Sequence, residues 1–476
     1  MIKKLNLETF IIFIFGFLIN FLLILFYSKA SGDGVMFLRV AENIYSNNCI
    51  SLSLPETAKC VPHWGGNQGP LYPFFISILW KISHNNFIVL LIQQIILSLS
   101  LVRFIYVIIK VTHFYPKNLF IIILFISPLS IGWSRFILTE CLSISLSILL
   151  FSELILCNYK NKIKIYRLII IFTLGFFLRY DFLLWSIPII IITYYSIGFY
   201  KTILKAIISI FIFATFLSLW SYRNYSQGLS LIPGGEFNSQ YITLEENQPS
   251  YKGYLKWVET WSWHNYMYAP AVYPLSNNNY KNISISENAF ENTEEKEKVN
   301  KILNHLKKIN GKRYPKFIDD EFLNLAKEKT SSNQLREHLI LPIKRSLFMM
   351  LNPLTSMGLP SSISNEDKKL FISSDIKNRL LVLSSNFSSV FLKILNFFYR
   401  VCVYILFLYL LFNIFKFSKN DKILILASLI FFILRIFLFS QVYFTATRHL
   451  LQPLIMIEMT IMIIYLKNSL FIKFKK

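Results

Sequence analysis

Apolar runs separated by short basic or polar loops dominate this chain. They fill residues 9–27, 86–109, 118–134, 136–156, 165–178, 182–199, 203–221, 392–415, 422–440 and 449–467, and most approach the roughly 20 residues that carry an α-helix across a bilayer. The pattern predicts an all-α polytopic membrane protein with about ten transmembrane helices. A further run at 71–82 reaches about half that length and opens in Gln68-Gly69-Pro70, so it reads as re-entrant or interfacial. The expected division is an N-terminal transmembrane module (1–222) with its first outer loop at 28–85, a polar outer domain (223–391), and closing transmembrane helices (392–476).

Charge supports this count. Leaving 71–82 uncrossed puts the basic clusters Lys3/Lys4, Lys110 to Lys117, Lys160 to Arg167, Lys201/Lys205, Lys416 to Lys422 and Lys467 to Lys476 on one side, cytoplasmic by the positive-inside rule. Both termini are then inside. The net charge of +23 is mostly topology and calls for no nucleic acid, since residues 223–391 hold 21 basic and 17 acidic residues; basic loops beside helices favour the anionic headgroups of a lipid bilayer. With 54% hydrophobic residues and 45 Phe, solubility throughout is excluded.

The start, Met1-Ile2-Lys3-Lys4 with an apolar run and Ser28-Lys29-Ala30, could be read as a cleaved signal. Its apolar stretch is longer than the ~7–15 residues of such a segment, which favours a retained first span. Of five cysteines, Cys141, Cys157 and Cys402 fall in or at the ends of spans, where a thiol is a small apolar filler. Cys49 and Cys60 share the first outer loop and would close it as a disulfide in an oxidising compartment. In the outer domain, taken as mixed in structure, Glu291 to Lys308 reads as a solvated charged helix, and Phe322 to Leu351 has helical spacing suited to docking back toward the membrane.

Placed on this topology, the unusual polar residues gather at the outer face. Asp33 follows the first span in Ser31-Gly32-Asp33-Gly34; Arg135 and Glu140 lie at the outer start of the fourth; Arg179 and Asp181 lie between the fifth and sixth; Arg223 follows the seventh and Arg448 precedes the tenth. Each has a bland reading. Asp33 would cap the helix carrying Phe37, Val40, Ala41 and Ile44, Glu140 would favour a helix N-terminus, and the arginines would pair locally or snorkel. Taken together, a ring of charge at the membrane rim points to a functional site. Arginine binds phosphate oxygens bidentately and stays charged in low dielectric, so a lipid-linked phosphate is the natural ligand. If that phosphate carries a sugar at its anomeric carbon, one general base suffices to activate an acceptor.

The residues also resemble the C-type (GT-C) membrane glycosyltransferases, the broad group that includes protein O-mannosyltransferases and the lipid A aminoarabinose transferase. The resemblance rests on Asp33 with Phe37-Leu38-Arg39-Val40-Ala41-Glu42-Asn43-Ile44, on Gly69-Pro70-Leu71-Tyr72-Pro73, and on Leu138-Thr139-Glu140. It continues through Leu178-Arg179-Tyr180-Asp181, Trp220-Ser221-Tyr222-Arg223-Asn224-Tyr225 with Gly228, Pro233, Gly234 and Gly235, and Arg448 before Pro453. It implies a GT-C-like architecture and a sugar moved, with inversion, from a polyprenyl-phosphate donor to a lipid, glycan or protein acceptor outside the cell's inner (plasma) membrane. Asp33 is then the base and Glu140 a second site acid, with Arg179, Arg223, Arg448 and Arg135 toward the donor phosphate and Tyr72, Asp181 and Tyr180 toward substrate. No cofactor is firmly implied. A divalent metal is an open alternative, disfavoured because Asp33 is flanked by glycines where the family often pairs two acids, and such a cation needs several oxygen ligands.

Two other classes compete with this reading. A transporter or lipid flippase would show repeated halves and broken mid-membrane helices, and neither is visible; a non-catalytic receptor or assembly factor would leave the ring of charge without a task. The topology has a direct test. Under the ten-span reading, Ser83→Cys labels with an impermeant thiol reagent from outside intact cells only, and labelling solely from the inside would overturn it.

Overall fold

The structure, a computed structural model, describes residues 7–28, 33–50, 69–112, 127–161, 164–226, 251–276, 278–312, 314–353, 355, 357–359, 381–382, 384–441 and 446–474. Among these the protein is helical, without a β-strand. In chain order, α1 (Leu7–Tyr27), α2 (Asp33–Asn47) and α3 (Leu71–Trp80) precede α4 (Asn86–Thr112) and α5 (Glu140–Lys160). The first half closes with α6 (Ile165–Leu178), α7 (Ser186–Ile197) and α8 (Phe199–Ser226). A second unit comprises α9 (Lys252–Glu259), α10 (Asn265–Ser276), α11 (Thr293–Lys308), α12 (Lys316–Ser332) and α13 (Leu341–Leu351), after which α14 (Phe387–Phe412), α15 (Lys419–Ser440) and α16 (Leu451–Phe474) return to the bundle.

Among the described residues, seven helical stretches are long and apolar enough to cross a membrane: α4, α5, Tyr180–Ile197 with α7, α8, α14, α15, and Thr447–Lys467 with most of α16. Phe13–Tyr27, α3 and α6 are shorter apolar pieces. The ten-span count is therefore only partly matched. Part of the run at 118–134 lies outside the described residues, and its described part is turns followed by a single 3-10 turn at Trp133–Arg135. Also outside them are Lys3 and Lys4, Cys60, and the Gly228, Pro233, Gly234 and Gly235 positions, while Cys49 is disulfide-bonded.

The bundle is ordered by side chains that read depth. Cys141, one residue into α5, meets the carbonyl of Gln93 on α4, and twelve residues further on Glu153 pairs with Arg103 at 2.5 Å. The two helices therefore run parallel from a common end. That end holds the start of α5, the turn after α6 and the start of α16; the opposite end holds the Arg103–Glu153–Arg167 cluster and Asp421, which is ion-paired with Lys467 at 3.1 Å. The core between is Leu, Ile and Phe from α4, α5, α15 and α16, with Trp185 fully buried among them.

The amphipathic α2 buries Phe37, Val40 and Ala41 against Tyr72, Ile76 and Trp80 of α3 and against Ile24, Leu90, Ile137 and Leu178. At ten residues, α3 is roughly 15 Å long, half the thickness it would need to cross. The unit from α9 to α13 is all-helical in its described residues rather than mixed, because its apolar residues recur at helical spacing. Tyr254, Trp257, Val258 and Trp261 face Ile318, Phe322 and Ala326, and Asp319 accepts the backbone N–H groups of Gly253 and Tyr254 at 2.9 and 3.1 Å, capping α9. The charged helix expected near 291–308 is α11, whose N-cap Asn292 accepts from Glu295 N–H.

After α13 the chain dips into the bundle. Met357 joins the main core, Arg400 of α14 donates to Met350 and Asn352 carbonyls, and Arg135 donates to Gly358 and Leu359 carbonyls. The approach is backbone to backbone. Gly132 has φ of 77°, and a Cβ there would stand 2.2 Å from the Gly358 oxygen. Gly132→Ala is expected to cost roughly 1–3 kcal/mol, from left-handed strain together with overpacking. Thermal unfolding in detergent would show it, and an unchanged midpoint would refute the contact.

Candidate active site

Two helix N-termini frame the site. Asp33 is the first residue of α2 and Glu140 the first of α5, and they are brought together because Gly34 lets α2 lie against the Ile137 carbonyl, where a Cβ would come within 2.6 Å. Asp33 thus stands inside the helix rather than capping it from outside. Its carboxylate reaches across the fold to Arg448, at 3.0 Å.

From there an alternating chain of charge runs inward. Arg448 Nη1 lies 3.4 Å from Glu140 Oε1; the same oxygen accepts from Arg179 Nη1 at 3.3 Å. Arg179 grips Asp181 through both carboxylate oxygens, at 3.2 and 3.0 Å, and Arg435 closes the series on Asp181 Oδ2 at 2.6 Å. Three guanidiniums alternate with three carboxylates, so each buried charge has a neighbour of opposite sign, which is what makes burial tolerable. Arg435 is fixed in turn by the His449 carbonyl at 2.5 Å and by Gln452 Oε1 at 2.9 Å, and Gln452 donates to Ser143 at 2.6 Å.

Exposure decides which part of this chain can meet a ligand. The side chains of Asp33 and Arg448 are 42% and 28% exposed, Arg179 20%, and Asp181, Glu140 and Arg435 10%, 4% and 1%. The open end is Asp33 with Arg448. Beneath it, Glu140 Oε2 is buried and has no hydrogen-bond partner, leaving one acceptor unsatisfied at the base of the open pair. Among the described residues no group of three or more His, Cys, Asp or Glu side chains is placed to hold a metal ion, and the three carboxylates of the site are engaged by arginine.

Comparison with protein families, curated proteins and solved structures finds no match to this chain.

The residues expected at the site divide into three groups. Asp33, Glu140, Arg179, Asp181 and Arg448 meet in one network. Tyr180 and Arg223 form a neighbouring cluster: Trp220 Nε1 donates to the Tyr180 hydroxyl at 3.0 Å, and Arg223 lies over the Trp220 ring while donating to the Ile50 carbonyl at 3.1 Å. Arg135 and Tyr72 have their hydrogen-bond partners outside that network. Arg135 donates to the Tyr27, Gly358 and Leu359 carbonyls and acts as a backbone clip. Tyr72 is fully buried against Phe37, its hydroxyl donating to Gln93 at 2.6 Å, so it belongs to the core.

Arg435 is the residue the sequence reading missed. A lone arginine thirteen residues into the apolar run at 422–440 is the kind of intramembrane charge that marks a site, although it lies within a span rather than beside a loop. Removing it leaves Asp181 with a single cation in a buried setting. Arg435→Gln is expected to lower stability by about 3 kcal/mol or more, read as a fall in the detergent unfolding midpoint; a wild-type midpoint would show that the inner half of the charge chain is not structural.

Proposed function

We propose that this protein is a membrane glycosyltransferase that moves a sugar from a polyprenyl-phosphate donor to an acceptor hydroxyl, with Asp33 as general base and Arg448 as the donor-phosphate ligand. One observation carries the reading: the graded charge chain, rigid and buried at Arg435, ends in a half-open carboxylate and guanidinium held 3.0 Å apart. A base and a phosphate ligand side by side at a membrane-bundle rim suit attack on a lipid-borne phosphate ester.

In this scheme the donor phosphate takes up Arg448 in place of its carboxylate neighbours, which frees Asp33. The acceptor hydroxyl passes its proton to Asp33 as its oxygen bonds to the anomeric carbon. The bond from that carbon to the phosphate oxygen breaks with its electron pair going to phosphate, and attack from the opposite face inverts the centre. The guanidinium offsets the charge that gathers on the leaving phosphate. Arg179 and Arg435 position Glu140 and Asp181. Glu140 Oε2, buried and unpartnered, is an acceptor available to a donor hydroxyl of the bound substrate. No metal enters the scheme, because arginines supply the positive charge.

The test is turnover in reconstituted membranes of a panel of undecaprenyl-phosphate-linked sugars, followed as release of undecaprenyl phosphate. Asp33→Asn is expected to lower release by about 10²–10⁴-fold, the contribution of a positioned general base. Full activity in that variant would sink the assignment.

A further inference from the structure

The helical unit between α8 and α14 shows two kinds of surface. α11 and α12 turn charge outward, exposing Glu294 and Lys298 on one and Asp320, Lys327 and Glu328 on the other. The last stretch of the unit does the opposite. Leu335, Leu339, Ile343, Leu347 and Leu351 stand every fourth residue along the π-helical turn Arg336–Ile340 and α13, and each is between 44% and 63% exposed. Steps of four overrun an α-helical turn of about 3.6 residues, and the wider π turn takes that drift back, so the five side chains keep to one ridge. The other face of α13 is engaged. Leu341, Arg345 and Met349 are buried, Met349 in the main core, and the helix packs against α15 and against Thr447–Leu450, the turn that carries Arg448.

Two arginines fix how deep α13 runs. Arg345 donates to the carbonyl of Ser440, the last residue of α15, at 3.3 Å, which sets this part of α13 level with that end of the bundle. Further along, the Met350 and Asn352 carbonyls accept from Arg400 at 2.8 and 2.5 Å. Arg400 follows Tyr399, whose hydroxyl meets Glu458. Glu458 lies seven residues below the start of α16 at Leu451, or roughly 10 Å at the helical rise. From Arg345 to Leu351, α13 itself covers about 9 Å. The two measures agree, so α13 descends from the rim about a third of the way through a hydrocarbon core of roughly 30 Å. The ridge also continues a surface that the bundle already has. α14 exposes Ile394, Leu395 and Phe398 and α15 exposes Ile433 and Phe437, and both helices are long and apolar enough to cross a membrane.

We propose that α13 is a membrane-embedded anchor, with Ile343, Leu347 and Leu351 in the acyl chains of the leaflet at the open end of the charge chain and Leu335 and Leu339 at its interface. The helical unit is then held to the bilayer as well as to the bundle. Acyl chains take the ridge out of water as a protein core would, and need no partner chain to do so. Beside Ile343, the exposed Lys344 has the length to carry its ammonium up to lipid headgroups while its stem lies along the ridge. The anchor stands whichever reaction the charge chain supports. Its consequence is local, because the turn bearing Arg448 packs on a helix whose depth the bilayer sets.

The experiment is nitroxide scanning of the full-length protein in nanodiscs of phosphatidylcholine and phosphatidylglycerol. Cys402→Ser removes the exposed free thiol, and a single label is then placed through Ile343→Cys, Leu347→Cys, Leu351→Cys or, as the solvated control on α11, Glu297→Cys. All four positions are exposed, so the label displaces no packing. Collision with oxygen, which concentrates in acyl chains, is expected to exceed collision with a water-soluble nickel chelate at the three α13 positions, by a ratio that rises from Ile343 to Leu351. The control is expected to show the reverse. Nickel collisions prevailing along α13 would overturn the anchor, since the ridge would then lie in water. A ratio that fails to rise would overturn the descent into the leaflet. Low collision with both reagents would overturn the lipid contact as well, with dipolar broadening between labels identifying a second copy of this chain as the cover.

Discussion

The alternation of guanidinium and carboxylate from Arg435 to Asp33 is the interaction on which this fold's working end depends. Six charges gathered at the rim of an apolar bundle would be prohibitive one at a time, because an ion in low dielectric loses several kcal/mol of solvation that only close opposite charge returns. Arranged in sequence, each charge between the two ends is neutralised on two sides, and the series finishes outward at Asp33, whose pair with Arg448 is the more exposed one. The chain draws its members from the starts of α2 and α5, the turn after α6, the middle of α15 and the turn before α16. It therefore ties together helices that are far apart in the sequence.

Arginine does two different jobs in this molecule. Arg448, Arg179 and Arg435 bind carboxylates, whereas Arg135, Arg345 and Arg400 bind backbone carbonyls and pin irregular segments where they enter the bundle or meet it. The second group answers a constraint of its own: chain that leaves regular helix inside an apolar bundle exposes carbonyl groups that must find donors, and the five N–H groups of one guanidinium can serve several at once. The return segment through Met357 and Gly358 is accepted into the bundle on these terms, with glycine at the point of closest approach.

These two uses meet at the seam between the bundle and the helical unit above it. Arg345 joins the bodies through carbonyls, and α13 packs against the turn that carries Arg448.

Much of the site was legible in the sequence, because a charged residue beside an apolar run announces itself. Asp33, Glu140, Arg179, Asp181 and Arg448 could each be picked out by that contrast, and topology alone gathered them at one face. The helical class was equally plain from the length of the apolar runs, and the amphipathic face of α2 from the spacing of Phe37, Val40 and Ala41. What contrast with neighbours cannot give is the partner. Arg135 and Arg448 look alike as arginines near span ends, yet one clips carbonyls and the other meets Asp33 across more than four hundred residues. Tyr72 packs on Phe37 and donates to Gln93, while Arg435, inside an apolar run, reaches Asp181. Partner choice depends on which helix ends are brought side by side, and that is decided by long-range packing, which local pattern does not encode. The sequence determined which residues carry charge to the membrane rim; the tertiary structure decided which of them end at solvent, because burial and pairing are properties of the assembled bundle.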